Sequence, residues 1–286
     1  MYRHILVPAT GTACDAAVFD AAVRVARLSG AHLEFLHVRV DVTETLLAMT
    51  AGGMGGGGAV QEVVDRLEGE AKATETRVWE AFGALCAREG IANDPAQGQV
   101  SAELVVESGP EAQWISEYGR FADLVVVGRA VDGQGSGGEV LEAALMDTGK
   151  PILIVPQVAP AAFPGTVVIA WKDTPEAARA VNTALPLIDK AERVVIMGVV
   201  EAAESPQENA VRLQRSLKWH NPNTVVQVVK REGRPAVEVL LAEAKALGAG
   251  VVVMGGYSHS RLREVVFGGF TQRVLAGADV AVLMAH

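Results

Sequence analysis

Apolar positions along this chain fall into short, nearly continuous runs, separated by longer stretches in which they recur three and four residues apart. The first two runs are YRHILVPA at 2–9 and AHLEFLHV at 31–38, and the stretch 13–28 between them is rich in Ala, Val and Arg. Runs of this length with many β-branched residues predict strands buried on both faces. The stretches between them predict covering helices, so the pattern is that of βαβ units in a parallel sheet.

The same order is written twice. TVVIAW at 166–171, a polar break at 172–175, a helical stretch at 176–188 and ERVVIMGVV at 192–200 repeat the opening of the chain. Each half continues with a helical stretch, a third strand and a turn ending in Gly and Pro: Glu107-Ser108-Gly109-Pro110 against Arg231-Glu232-Gly233-Arg234-Pro235. A short helix is expected after each turn. ADLVVVG at 122–128 then matches AGVVVMG at 249–255, and PILIVP at 151–156 matches VAVLMA at 280–285. Five strands per half predict an α/β protein of two tandem domains, 1–158 and 164–286, joined near QVAPAAFPG at 157–165.

The halves differ mainly between their second and third strands, where the first half carries residues 41–99. This insertion holds AGGMGGGG at 51–58 and a helical stretch from about 60 to 88. Six glycines in eight residues make any fixed conformation entropically costly. The run reads either as a mobile surface loop or as a lid over a ligand.

At 286 residues the chain has room for roughly two ordinary domains. Its 25 basic against 34 acidic residues leave a net charge of −9, which excludes the broad positive field that nucleic acid requires. The opening MYRHILVPAT is too short an apolar segment for a signal peptide or a membrane span, so the expected location is the cytoplasm. Cys14 and Cys86 show neither CxxC nor Cys/His spacing, against a metal site or a disulfide, and read as buried small hydrophobes rather than reactive thiols. There is no G-x-S-x-G elbow, and the six histidines show no zinc spacing, so no catalytic or metal residue is nominated. His32 and His37 fall in a predicted strand and read as core or edge histidines.

The most specific local signal is MGGYSHSRLREVVFGGFT at 254–271, which leaves the end of a strand and runs into a helix. Small residues let backbone N–H groups approach an anion, and a helix N-terminus adds partial positive charge, so a phosphate fits here. Ser258, His259, Arg261, Arg263 and Thr271 are further donors; the alternative is that the glycines only turn the chain. In the first half residues 133–138 satisfy G-x-G-x-x-G, but they follow a fourth strand and lack the acidic residue about 20 positions on, against a dinucleotide fingerprint; they read as a shortened phosphate loop or a plain flexible connection.

The repeated five-strand order, the ILVPAT start, the Gly and Pro turn and the 254–271 segment together resemble the universal stress protein family in its tandem form. The resemblance covers almost the whole chain. It implies two Rossmann-like domains of the adenine nucleotide alpha hydrolase-like type, each a five-stranded parallel sheet flanked by helices, with the fifth strands associating into an internal pseudo-dimer. In nucleotide-binding members a spaced-glycine segment wraps the phosphates. Here Gly255 and Gly268 hold two of its positions, while Ser258 stands where the second glycine would be and Gly269 where a Ser or Thr would be. The family's Asp after the first strand is matched by Thr10 in the first half and Lys172 in the second, with Asp173 one residue further on. Lys172 is either a phosphate contact or a solvated lysine.

By this resemblance the candidate nucleotide-binding residues are Ala170, Lys172, Val199, Met254, Gly255, Ser258, His259, Gly268, Gly269, Phe270 and Thr271. The ligand would be ATP or AMP, with the second half preferred. The implied function is a stress-response module rather than a turnover enzyme. The competing readings are a nucleotide-hydrolysing or phosphoryl-transferring enzyme, for which a Walker lysine motif and a Mg²⁺ carboxylate pair are missing, and a ligand-free dimeric scaffold.

Overall fold

The computed structural model describes residues 1–40, 57–93, 98–129, 135–158, 162–201, 208–256 and 279–286. The first half contributes β1 (His4–Pro8), α1 (Asp15–Arg27), β2 (His32–Arg39), α2 (Gly57–Glu89), β3 (Ser101–Ser108), α3 (Glu111–Gly119), β4 (Leu124–Gly128), α4 (Gly138–Met146) and β5 (Ile152–Val155). The second contributes β6 (Thr166–Ala170), α5 (Pro175–Thr183), α6 (Leu185–Ile188), β7 (Arg193–Val200), α7 (Glu208–Leu217), β8 (Thr224–Lys230), α8 (Ala236–Ala246), β9 (Ala249–Gly255) and β10 (Ala281–Ala285).

The ten strands among the described residues join in one sheet, in the order β3-β2-β1-β4-β5-β10-β9-β6-β7-β8. Within each half every pairing is parallel. Among the described strands the antiparallel pairing is β5 against β10, with Ile154 opposite Val282 and Ile152 opposite Met284. An apolar parallel strand left at an edge exposes unpaired N–H and C=O groups. Pairing β5 with β10 removes two such edges at once.

Successive residues of a strand point to opposite faces, and the core divides accordingly. Ile5, Val7, Phe35, Val167 and Ile169 pack on the side covered by α1, α2 and α5, where Phe35 meets Phe19 and Phe82 edge-on with ring centroids 4.6 and 5.4 Å apart. Leu6, Val125, Val127, Val168 and Val252 pack on the other side, under α4 and α8. The outer strands β3 and β8 are half-buried along most of their length.

One element departs from expectation. The stretch 176–188, expected as one helix, is two, α5 and the four-residue α6, because Pro186 supplies no N–H and its ring crowds the preceding turn. Of the glycine run 51–58, Gly57 and Gly58 open α2, and the rest lies outside the described residues.

Candidate functional site

In each half the strand order reverses beside the first strand, between β1 and β4 and again between β6 and β9. A parallel α/β sheet opens its ligand crevice at this switch point, outside the carboxyl ends of the strands. Since β5 and β10 run antiparallel, the two crevices open at opposite ends of the sheet.

The first crevice is tied together by the chain's own polar groups. Asp15, at the start of α1, turns its carboxylate back over the β1–α1 loop. Oδ1 accepts the Thr10 N–H at 3.1 Å and the Thr10 hydroxyl at 2.7 Å, and Oδ2 accepts the Gly11 N–H at 2.8 Å. Helix α2 presses on the same loop: Arg77 Nε donates to the Gly11 carbonyl at 3.1 Å, and a Cβ at Gly11 would lie 2.5 Å from Thr74 Cγ2. Beyond β4 the chain returns to the strand end, with the Ser136 N–H donating to Gly128 O at 3.2 Å and the Gly135 N–H to Thr12 Oγ1 at 3.4 Å.

Two carboxyls in this crevice sit above their ordinary pKa. Burial raises Asp15, against the pull of the Thr10 and Gly11 donors and of nearby His37; burial and then the charge of Asp15 raise Glu111 at the start of α3. Nδ1 of the buried His37 donates to Ala9 O at 2.9 Å, while its Nε2 and the Ser136 hydroxyl oxygen find no partner among the described residues. A phosphate entering here would meet two carboxyl groups, which repel it.

The second crevice is built differently. Ala170, Val199 and Met254 stand at or near the carboxyl ends of the neighbouring strands β6, β7 and β9; Ala170 is in register with Met197, and Ile169 with Val253. Trp171 N–H closes onto Met197 O at 3.2 Å, and Lys172 and Asp173 are exposed. Thr174 caps α5, its hydroxyl accepting the Ala177 N–H at 3.3 Å, with Pro175 at the first helical position. Between the β6–α5 loop and α7 lies a cavity of about 260 Å³, lined by Trp171, Asp173, Asn209, Arg212 and Leu213. Asn209 Nδ2 donates to Asp173 Oδ2 at 3.3 Å.

Gly255 has a packing reason of its own. A Cβ there would lie 2.7 Å from Ala177 N and 2.8 Å from the Glu176 carbonyl carbon, so only glycine lets the first turn of α5 rest on the end of β9. Gly128 does the same for α1 in the first half, where a Cβ would lie 2.9 Å from Val18 Cγ2.

Of the residues nominated from sequence, Ala170, Lys172, Val199, Met254 and Gly255 are brought to the strand ends around this second crevice. Ser258, His259, Gly268, Gly269, Phe270 and Thr271 lie outside the described residues. Thr10, at the position the family pattern gives to Asp, is itself held by a carboxylate, that of Asp15 five residues downstream. Trp171, Asn209 and Arg212 were not nominated; their only sequence signal is position, one residue past a strand and on the helix that follows the second strand. Cys14 is buried, and Cys86 is half-buried with its thiol pushed up by burial. Among the described residues no three His, Cys, Asp or Glu side chains are grouped to hold a metal ion, and no helix is long and apolar enough to cross a membrane.

The sequence model described as the universal stress protein family matches residues 1–156 and 165–286. Among solved structures, a universal stress protein from Archaeoglobus fulgidus DSM 4304 superposes with a TM-score of 0.68 at 15% identity, over 99% of this chain and 97% of that one. A functionally unknown protein from Pseudomonas aeruginosa PAO1 gives 0.52 at 18% identity, over 99% and 92%. Comparison with curated proteins found no match.

Proposed function

Starting from a chain that belongs to the universal stress protein family, we propose that it is a cytoplasmic stress-response module, of halves 1–158 and 164–286, that binds one adenine nucleotide in its second half. The observation that carries this reading is the contrast between the crevices. In the first, Asp15, Arg77 and residues 135–136 engage the loops that border the strand ends, and two carboxyls oppose a phosphate. In the second, the β6–α5 loop stays exposed at Lys172 and Asp173 and borders a cavity with a carboxylate and an indole in its wall. A carboxylate is the stronger kind of acceptor for ribose hydroxyls, and Asp173 offers it one residue after the position the family pattern would use. The 255–271 segment would take the phosphates through backbone N–H groups. With no Walker lysine motif in the sequence, the module binds and signals rather than turning substrate over.

Isothermal titration with ATP and with AMP should give one site per chain, and ATP should remain intact over the titration. Replacing Gly268 by Val puts a branched side chain where backbone must approach the phosphate, and should weaken binding by roughly two orders of magnitude or more, as expected for two charge-assisted hydrogen bonds at about 1.5 to 3 kcal/mol each. Two equivalent sites would overturn the asymmetry, steady hydrolysis would favour the enzyme, and no heat with either nucleotide would favour a ligand-free scaffold.

A further inference from the structure

The cavity of about 260 Å³ between the β6–α5 loop and α7 is walled by two residues whose polar atoms the chain itself leaves unused. The carboxylate of Asp173 can only accept, so the amide of Asn209 turns Nδ2 toward it, at 3.3 Å, and this fixes the other end of the amide, Oδ1, as an acceptor. That Oδ1 is buried and finds no partner among the described residues. Neither does the buried Nε1 of Trp171, which can only donate. An orphaned donor and an orphaned acceptor on two residues of one small wall cost stability until some group pairs with both.

The rest of the wall narrows the kind of group. Leu213 and the indole of Trp171 are apolar, and the cation in the wall, Arg212, gives its guanidinium to Glu208 at 2.5 Å. With the Asp173 carboxylate beside it, this wall offers a phosphate no unpaired positive charge. At about 260 Å³ the cavity falls just below the usual range for a whole drug-sized ligand, so it admits a ring system rather than an entire nucleotide. Its polar pair calls for a flat edge with an acceptor beside a donor. Adenine has that edge, a ring nitrogen next to the exocyclic amine.

Resting on the reading of the second half as an adenine nucleotide site, we propose that Trp171 and Asn209 are its specificity-determining residues. The base enters the cavity beside α7, its ring nitrogen accepting the Trp171 Nε1–H and its exocyclic amine donating to Asn209 Oδ1, while Leu213 packs on its face. Asp173 keeps Oδ1 for the ribose, since Oδ2 holds Asn209. The phosphates then run back toward Gly255 at the end of β9, which lies on the other side of β6 from β7, the strand that leads into α7.

The test is isothermal titration of the full chain with AMP and with purine riboside 5′-monophosphate, which lacks only the exocyclic amine. Wild type should bind AMP about tenfold more tightly, the difference expected when a buried acceptor is left unpaired. Asn209→Ala should weaken AMP by about tenfold and erase that preference. Trp171→Phe keeps an aromatic ring but removes the N–H; it should weaken both ligands by about tenfold and leave the preference in place. Circular dichroism and melting check that both variants fold, and the comparison of the two ligands on the unaltered chain decides the matter even where a variant does not. Equal binding of the two ligands by wild type overturns the proposal, as does an AMP affinity unchanged in both variants; in either case nucleotide binding stands and the base lies elsewhere. No binding of AMP removes the second-half site itself, and the base-reading pair with it.

Discussion

Removing the Asp15 carboxylate tests whether the first half is held closed by its own side chains. In Asp15→Ala three donors lose their acceptor at once: the Thr10 N–H, the Thr10 hydroxyl and the Gly11 N–H. A hydrogen bond to a charged group contributes about 1.5 to 3 kcal/mol. Part of that is offset, since the substitution also lifts the cost of burying the charge, which is why the carboxyl sits above its ordinary pKa. Arg77 and Val78 of α2 lose the loop they pack on as well. The net expectation is a loss of about 2 to 4 kcal/mol, or a fall in melting temperature of roughly 5 to 15 °C. Thermal and urea denaturation at neutral pH read it directly. Asp15→Asn keeps the shape and one acceptor and should lose about half as much. The pH dependence carries its own sign. Folding raises the pKa, so the contribution from this ionisation is fully present below the unfolded value, near pH 4, and fades as pH rises through the folded value. The stability gap between wild type and Asp15→Asn should therefore narrow as pH climbs from about 4. A loss under about 0.5 kcal/mol in Asp15→Ala, the level of an unremarkable surface change, would refute the closed first crevice, and so would a gap that widens with pH.

Gly255→Val should cost about 1 to 3 kcal/mol by driving the first turn of α5 off β9, seen as a lower urea midpoint with unchanged slope; an unchanged midpoint would show that the helix shifts freely. Buried Asn221 donates to Ile188 O at 2.9 Å and Ala191 O at 2.7 Å and accepts the Asn223 N–H at 2.9 Å. Asn221→Ala should thus lose about 2 to 4 kcal/mol, and a loss under about 1 kcal/mol would mean these groups find other partners. His4 is raised above its ordinary pKa first by its hydrogen bond to Glu34, at 2.9 Å. Its contribution is full below about pH 6.5 and is lost as pH rises through the folded value. His4→Gln should abolish that part of the urea-midpoint profile, and an identical profile in the variant would remove the pair from the account.

Most of the fold was legible because it rests on local periodicity. Continuous runs such as ILVP and VVVM cannot alternate a wet and a dry face, so they had to be strands covered on both sides, and their doubled order is that of a tandem α/β chain. Even the glycines ending the fourth strand of each half were visible as a repeat. What they do was not. Gly255 looked like half of a phosphate loop, yet α5 lies against it closely enough to require glycine without any ligand. Pro186 carried its own signal, a missing N–H inside a helical stretch, and broke the helix as that chemistry dictates. The joining of β5 to β10, the return of Asp15 onto Thr10 and Gly11, and the hydrogen bond from the Tyr2 hydroxyl to Thr183 O link residues up to 181 positions apart. Such contacts depend on which strands become neighbours and on which donors burial leaves in need of an acceptor; even the Asp15 contact, five residues from Thr10, needs the loop to be buried before its donors require one. Pattern settled the layers; only the tertiary structure decided that one crevice is closed by the chain's own carboxylate while the other borders an open cavity.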